Sequence, residues 1–452
     1  MPGQPSDLQQ RSRAHPDRKP LLDIRPATMD DRPAIFIFLG YGIGTLIDRI
    51  KADGRIRIIA SQTGYTGTDV LRHDHMLAFP DLGQWRTGRA MLKQLQSLAV
   101  RPADPAGRFA MNGIDYGPLL AGNVLGYLRP ALPLYLIIVA QAIKMQKIGR
   151  FKAMVVNGEG MTGMRAILLH NHDTGVPIYS SRHGLNTHKA LCKSIGQNYP
   201  HLICIASGED QKDEFGTHLP PEQKPRVVAI GSGQTVVMRP LRGTRSKTHG
   251  KRLMIINHGA TALADTGRAY AGDRYTLDAF ACARQLLDEG WRVFYRTHPG
   301  WRTTAEERML EEMGLAGRIE FDRSPTFVDA LPRCDVLIGS VSSTYYQSLY
   351  AGWPIVFHEP LADTRDPAEF LDEYFTGLMA AKEIDKPLTR SVEDLTASVR
   401  SSLDPASLIS RFPELFATRY NKRFIGKDPA SSDQLIADFI LDDLNRQLGT
   451  QG

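Results

Sequence analysis

Ser342, Ser343 and Thr344 follow the apolar run "DVLIG", the last two opening the stretch "STYYQSLYAG". A strand that leads into a helix whose first turn is built of hydroxyls presents three kinds of donor beyond the strand end. These are backbone N–H groups without intrahelical partners, the hydroxyls themselves and the positive end of the helix dipole. That is the chemistry of anion binding, phosphate above all. A serine in this place also serves as an ordinary N-cap. In the same half, "YRTHPG" brings Arg296 and His298 to the end of the apolar run Val293-Phe294-Tyr295, and Pro299 keeps the chain from entering a helix at once. An imidazolium there can neutralise a phosphate or protonate it as it leaves. Arg296 adds a fixed positive charge, so the two loops are expected to grip one anionic leaving group at the ends of two neighbouring strands.

The first half of the chain offers a carboxylate. "VVNGEG" places Glu159 between Gly158 and Gly160 directly after an apolar run, where the flanking glycines let a ligand approach the backbone. Such a carboxylate can act as general base toward a hydroxyl. "YSSRHGLN" repeats the theme with Arg182 and His183, read equally as substrate contacts or as a structural pair, and "INHGA" puts His258 and Gly259 where a tight loop can touch a donor. Other chemistries lack their residues. The chain has no G-x-x-x-x-G-K-[ST] phosphate loop, no G-x-S-x-G elbow and no H-E-x-x-H helix. No Asp-x-Asp follows a strand, so a site without metal is expected, and no cofactor.

These loops need a scaffold that lines up strand ends. Short apolar runs alternate with longer amphipathic ones along the chain, the rhythm of a parallel sheet wrapped by helices. In such sheets ligands lie beyond the carboxyl ends of the strands. The alternation runs through "AIFIFLGYG", "RIRIIAS", "FKAMVVNGEG", "GVPIYSS", "HLICIAS" and "PRVVAIGSG". It pauses at the basic stretch "GQTVVMRPLRGTRSKTHGKR" and restarts at "LMIINHGA". The expected fold is α/β, two doubly wound Rossmann-like domains facing a cleft. Residues 1–32 form a loose tail, 33–235 the first domain, 236–252 a linker and 253–405 the second domain. Residues 406–452 are helices that can cross back to the first domain.

Composition sets the remaining limits. At 452 residues the chain is long enough for two domains, and 42% hydrophobic with 23% charged residues is the balance of a globular protein. The net charge of +6, from 55 basic and 49 acidic residues, is slight and dispersed, so no nucleic-acid partner is expected. Four cysteines, Cys192, Cys204, Cys282 and Cys334, lie far apart without a C-x-x-C pair, which fits a reducing cytoplasm. The proline-rich start has no apolar core of a secretory signal. "ALPLYLIIVAQAI", Ala131–Ile143, falls short of the roughly 20 residues that span a bilayer and reads as a buried helix or a membrane-surface one. The location expected is cytoplasmic, with attachment to the inner membrane left open.

"RTHPG" followed by "IGSVSSTYYQSLYAGWPIVF" resembles the HP and Ser-Ser/Thr motifs of bacterial capsule and lipopolysaccharide glycosyltransferases of the GT-B type, the sialyl-, polysialyl- and Kdo transferases that use CMP-activated sugars. The resemblance covers roughly residues 150 to 360. It implies that Glu159 is the general base, that His298 contacts the CMP phosphate and assists its departure, and that Ser342 and Ser343 hold the same phosphate. "GVPIYSSRHG" resembles a strand ending in Gln-His-Gly in such enzymes, with Arg182 where Gln is usual. The function implied is metal-independent, inverting transfer from a nucleotide sugar to a glycan or glycolipid acceptor in surface-polysaccharide synthesis. The alternatives are a UDP-sugar 2-epimerase, a CDP-glycerol-type polyol-phosphate transferase, or a non-catalytic nucleotide- or glycan-binding component of a capsule assembly complex.

Overall fold

The computed structural model describes residues 32–37, 43–60, 90, 93, 110–111, 114–115, 151–156, 175–181, 187–188, 201–219, 221, 226–245, 250–257, 269–297, 303–339, 342–360 and 375–449. The segment 131–143 and the tail before residue 32 lie outside them. Six strands form a first parallel sheet: β1 (Ala34–Ile37), β2 (Arg57–Ala60), β3 (Phe151–Val156), β4 (Ile178–Ser181), β5 (Leu202–Ala206) and β6 (Val227–Ala229), in the order β2-β1-β3-β4-β5-β6. Six more form a second: β7 (Arg252–Asn257), β8 (Arg292–Thr297), β9 (Glu320–Phe321), β10 (Val336–Gly339), β11 (Ile355–His358) and β12 (Leu388–Thr389). Its order, β9-β8-β7-β10-β11-β12, is the 3-2-1-4-5-6 arrangement of dinucleotide-binding folds. The fold class is therefore α/β with two Rossmann-like sheets, as the alternating runs predict. The chain divides into two compact units, Met1–Ile37 with Gly54–Lys152, and Phe38–Asp53 with Ala153–Gly452.

The helices used below are α1 (Gly44–Asp53), α2 (Glu209–His218), α3 (Ala269–Asp288), α4 (Thr304–Glu312), α5 (Ser343–Ala351), α6 (Val392–Ser401), α7 (Leu408–Leu415) and α8 (Ser432–Gly449). Why the second sheet's strands read as unbroken apolar runs is visible in its packing. Successive side chains of a strand point to opposite faces, and here both faces are covered. Met254, Ile256, Phe294, Leu337, Ile355 and Phe357 share one core with Tyr345, Tyr346 and Leu349 of α5 and Phe412 of α7. Their strand neighbours Leu253, Ile255, Val293, Tyr295, Val336, Ile338 and Val356 share another with Phe280, Ala283 and Leu286 of α3, Leu310 of α4 and Leu395 of α6. The registers Ile255↔Tyr295, Ile255↔Ile338 and Ile338↔Val356 keep each set on its own face.

The connection drawn as a linker over 236–252 is itself ordered where it is described. It holds a 3-10 turn at Arg239–Leu241 after a short helix, Gly233–Val236, and it buries Met238 completely in the α5 core.

The last helix packs against elements of the first half. Ile436, Ala437, Ile440 and Leu444 of α8 are buried, Phe439 meets Tyr179 of β4 edge to face at 6.3 Å, and the Tyr179 hydroxyl donates to Asp443. Burial, reinforced by that carboxylate, pushes the Tyr179 phenol far above its ordinary range. On α1, the Thr45 hydroxyl donates to Asp433 at 2.8 Å and Arg49 pairs with Asp438. Just before α8 the chain comes so close to the loops after β5 and β6 that side chains are excluded. Gly426, at φ +106°, lies with its Cβ direction 2.9 Å from Gly231 Cα and 3.0 Å from the Ser207 and Ile230 carbonyl oxygens. A methyl on Gly208 would run into the Arg423 carbonyl oxygen and stand 2.6 Å from the Phe424 carbonyl carbon. Gly208→Ala is accordingly expected to cost about 1–3 kcal/mol. Gly216→Ala, within α2 and facing open space, is expected to gain about 0.5–1 kcal/mol. Urea melts of the two single variants check the contrast.

Candidate functional site

β10 ends at Gly339, where the chain must pass close to its neighbour: a Cβ there would lie 2.8 Å from Ile355 Cδ1 of β11. α5 then begins behind Ser342, whose extended backbone (φ −155°, ψ 153°) makes it the N-cap. The Ser342 hydroxyl accepts hydrogen bonds from the Thr344 N–H at 3.3 Å and from the Thr344 hydroxyl at 2.9 Å. With both lone pairs engaged, its own hydrogen is left for an acceptor beyond the helix. Ser342 is buried, while Ser343 and Thr344 are half-buried. The rest of the helix fixes this turn in place. Tyr345 and Tyr346 are fully enclosed, Tyr345 meets Phe357 edge to face at 5.4 Å, the Tyr346 hydroxyl accepts from the Leu378 N–H at 2.9 Å, and Gly352 closes the helix in the left-handed region.

Topology decides what this turn can face. In a 3-2-1-4-5-6 sheet the order reverses between the first and fourth strands, and the crevice that takes ligands opens there. In this chain those strands are β7 and β10, so the Ser342–Thr344 turn follows one flank of the reversal and residues 258–259 follow the other. His258 and Gly259 come directly after Asn257, the last residue of β7, but lie outside the described residues. His298 follows β8 and also lies outside them. The expectation that the serine and histidine loops leave neighbouring strands is corrected by the order: β7 lies between β8 and β10. Two strand spacings of about 4.8 Å put the loops roughly 10 Å apart at their roots. In the first sheet, Glu159 follows β3 and Arg182 and His183 follow β4, all three outside the described residues.

Arg296 is placed otherwise than its charge suggested. It sits inside β8 with its side chain 7% exposed, pairs with Asp322 just past β9, and donates to the Ser324 carbonyl at 3.0 Å. Because helices cover both faces of this sheet, a charged residue in the strand needs a carboxylate inside the protein, and Asp322 meets that need. Burial by itself would push the Asp322 carboxyl up. Hydrogen bonds from Ser324, Arg296 and Arg333, with the Arg296 charge, outweigh it and hold the carboxyl below the ordinary range. A group depressed in this way contributes stability above its unfolded pKa, near 3.9, and loses it as the pH falls through the folded value. Asp322→Asn should therefore cost about 3–5 kcal/mol at neutral pH, by leaving Arg296 uncompensated. The gap to the wild type should narrow below pH about 4, as read from melts across the acid range.

One pair at the strand ends escaped sequence reasoning, His358 and Glu359, which close β11 next to α5. His358 is fully buried, its Nδ1 3.0 Å from the Thr389 hydroxyl of β12 and its Nε2 3.3 Å from an Asp278 carboxylate oxygen of α3. Arg274 pairs with the same Asp278 at 2.9 Å. His358 thus ties three elements together, while Glu359 brings a carboxylate to the base of α5. Burial first, then Tyr346, and after them acidic side chains including Glu359 push the Tyr345 phenol well above its ordinary range. The signal was a His-Glu pair at the end of an apolar run, "PIVFHEP", beside the serine helix. Among the described residues no group of three or more His, Cys, Asp or Glu is gathered to hold a metal, and no helix is long and apolar enough to cross a membrane.

No protein-family model matches the sequence, and no curated protein matches it. Solved structures do. MnaA of S. aureus in complex with UDP aligns over 91% of this chain and 97% of its own, with a TM-score of 0.51 at 13% identity. A UDP-GlcNAc 2-epimerase from Neisseria meningitidis bound to UDP-GlcNAc covers 91% and 100%, with a TM-score of 0.50 at 12% identity. The wall teichoic acid polymerase TagF covers 93% and 90%, with a TM-score of 0.50 at 12% identity. At these identities the likeness is one of fold, and it runs along nearly the whole chain.

Proposed function

We propose that the protein is a nucleotide-sugar-dependent glycosyltransferase of bacterial surface-polysaccharide synthesis, with a CMP-sugar the first donor to test. The observation that carries the reading is the Ser342-capped first turn of α5, set on the carboxyl end of β10 beside the order reversal of a 3-2-1-4-5-6 sheet. The donor phosphate is held there by the Ser342 and Ser343 hydroxyls, the free N–H groups of the turn and the helix dipole, with Thr344 bracing Ser342. Arg296, committed to Asp322, is left out of that set. His298, from the loop after β8, neutralises the phosphate and protonates it on departure. Glu159, from the loop after β3, removes the proton of an acceptor hydroxyl as that oxygen attacks the anomeric carbon. The bond from that carbon to the phosphate oxygen breaks, its electron pair stays on the phosphate, and the anomeric centre inverts. His258, Gly259, Arg182 and His183 are assigned to substrate contacts, and residues 33–235 and 253–405 to the acceptor and donor sides.

The likeness to a UDP-GlcNAc 2-epimerase and to a teichoic acid polymerase supports nucleotide-linked substrates in general and favours a second reading, a 2-epimerase acting on a UDP-sugar without acceptor. A thermal-shift screen of CMP, CDP, UDP and GDP separates the donors, because a ligand at about 100 times its Kd adds about 2.7 kcal/mol to the folded state. CMP is expected to raise the melting temperature most. Ser343→Ala, at a half-buried position where no cap is lost, is expected to abolish most of the rise while leaving the unliganded melt unchanged. NMR of the UDP-sugar with enzyme alone tests the epimerase: a new C2 epimer would displace the transferase reading.

A further inference from the structure

At the opposite end of α5 from the serine turn, Arg242, Arg245 and Arg411 rim a pocket of about 630 Å³ whose walls include Leu349, Tyr350 and Pro413. Nine helical residues rise about 13 Å, so this pocket stands clear of the candidate phosphate site. Arg242 and Arg245 come from the basic stretch that joins the two sheets, and Arg411 from α7. Glu414 is the single carboxylate in the wall, so three guanidinium groups face one acid. Neither Arg242 nor Arg411 is ion-paired among the described residues. The Arg242 guanidinium instead lies over the Tyr350 ring, 5.4 Å from its centre. Arg245 reaches the Gly352 carbonyl at 3.4 Å, which offsets the negative end of the α5 dipole.

Two further observations mark the pocket as built for a ligand. Tyr350 is 3% exposed, and its hydroxyl is buried with no hydrogen-bond partner, a rare condition for a phenol in a folded protein. The wall that carries Pro413 and Ala417 is where α7 gives way to a π-helical segment, Phe416–Tyr420, an irregularity that recurs at functional sites.

We propose that this pocket binds a phosphate ester, the phosphate gripped by Arg242, Arg245 and Arg411 with the Tyr350 hydroxyl, and the organic body lying on the Leu349 and Pro413 surface. Guanidinium forks match phosphate oxygens in pairs, which a surface of scattered lysines would not. The ester can belong to a soluble sugar or polyol phosphate or to an anionic lipid headgroup, and the chemistry of recognition is the same. The assignment is independent of the donor reading, because it concerns other residues and is read by binding alone.

Calorimetry with sn-glycerol 3-phosphate and the full chain provides the test, with co-sedimentation on phosphatidylglycerol against phosphatidylcholine vesicles as its second arm. Saturable binding of the soluble ester is expected, weakened by added salt. The Arg242→Gln/Arg411→Gln double variant, altered only at exposed positions, should bind at least tenfold more weakly with an unchanged melting temperature. Tyr350→Phe should lose affinity several-fold without loss of stability, since it removes a hydroxyl that the protein itself does not satisfy. Co-sedimentation specific to phosphatidylglycerol assigns the ester to a lipid, and soluble binding alone assigns it to a free phosphate. Absence of both, or binding that the double variant retains in full, overturns the proposal.

Discussion

Replacing His298 with alanine is expected to lower sugar transfer roughly 10²–10⁴-fold, the range for losing a positioned acid, while the melting temperature stays within the error of the wild type. The residue follows β8 and precedes Pro299 in the sequence, directly after the last residue of the strand, Thr297. In the proposed mechanism, departure of the donor phosphate would build negative charge at the first turn of α5. In that mechanism a protonated His298 would set positive charge against that anion, where preorganised donors act most strongly. The effect should fall on kcat more than on KM, and it should shrink for a donor with a better leaving group. A folded His298→Ala enzyme with near-normal turnover would remove the residue from the mechanism.

Glu159→Gln is the second large effect expected, again roughly 10²–10⁴-fold in kcat, with donor affinity unchanged in the same preparation. The amide keeps the size and polarity of the side chain and loses only its capacity to take a proton. A variant that instead loses donor binding at unchanged kcat would move Glu159 from the acceptor hydroxyl to the nucleotide.

Much of the second sheet was legible because its local signals agree. "DVLIG" is a strand by its unbroken apolar run, "STYYQSLYAG" a helix by its serine cap and closing glycine, and the structure places them at Val336–Gly339 and Ser343–Ala351. Strand order was not legible, since nothing in "LMIIN" says that β7 inserts between β8 and β10. That is why the two phosphate loops read as nearer neighbours than they are. Arg296 was misread for a related reason: a charge at the end of an apolar run looks like a ligand contact, and its partner Asp322 lies 26 residues on, past α4. A proline inside a helix ordinarily breaks it, whereas α7 continues past Pro413 and shifts into π geometry.

The packing of α8 on Tyr179 and α1 sets the timing of biogenesis. A nascent chain emerging from the ribosome carries β4 more than two hundred residues ahead of Phe439 and Asp443, which complete its surroundings. The flank of the amino-terminal sheet that α8 covers stays exposed in the nascent chain until α8 has been synthesised. Premature stop codons anywhere upstream of α8 should then yield insoluble product, even where every loop of the candidate active site has already been made.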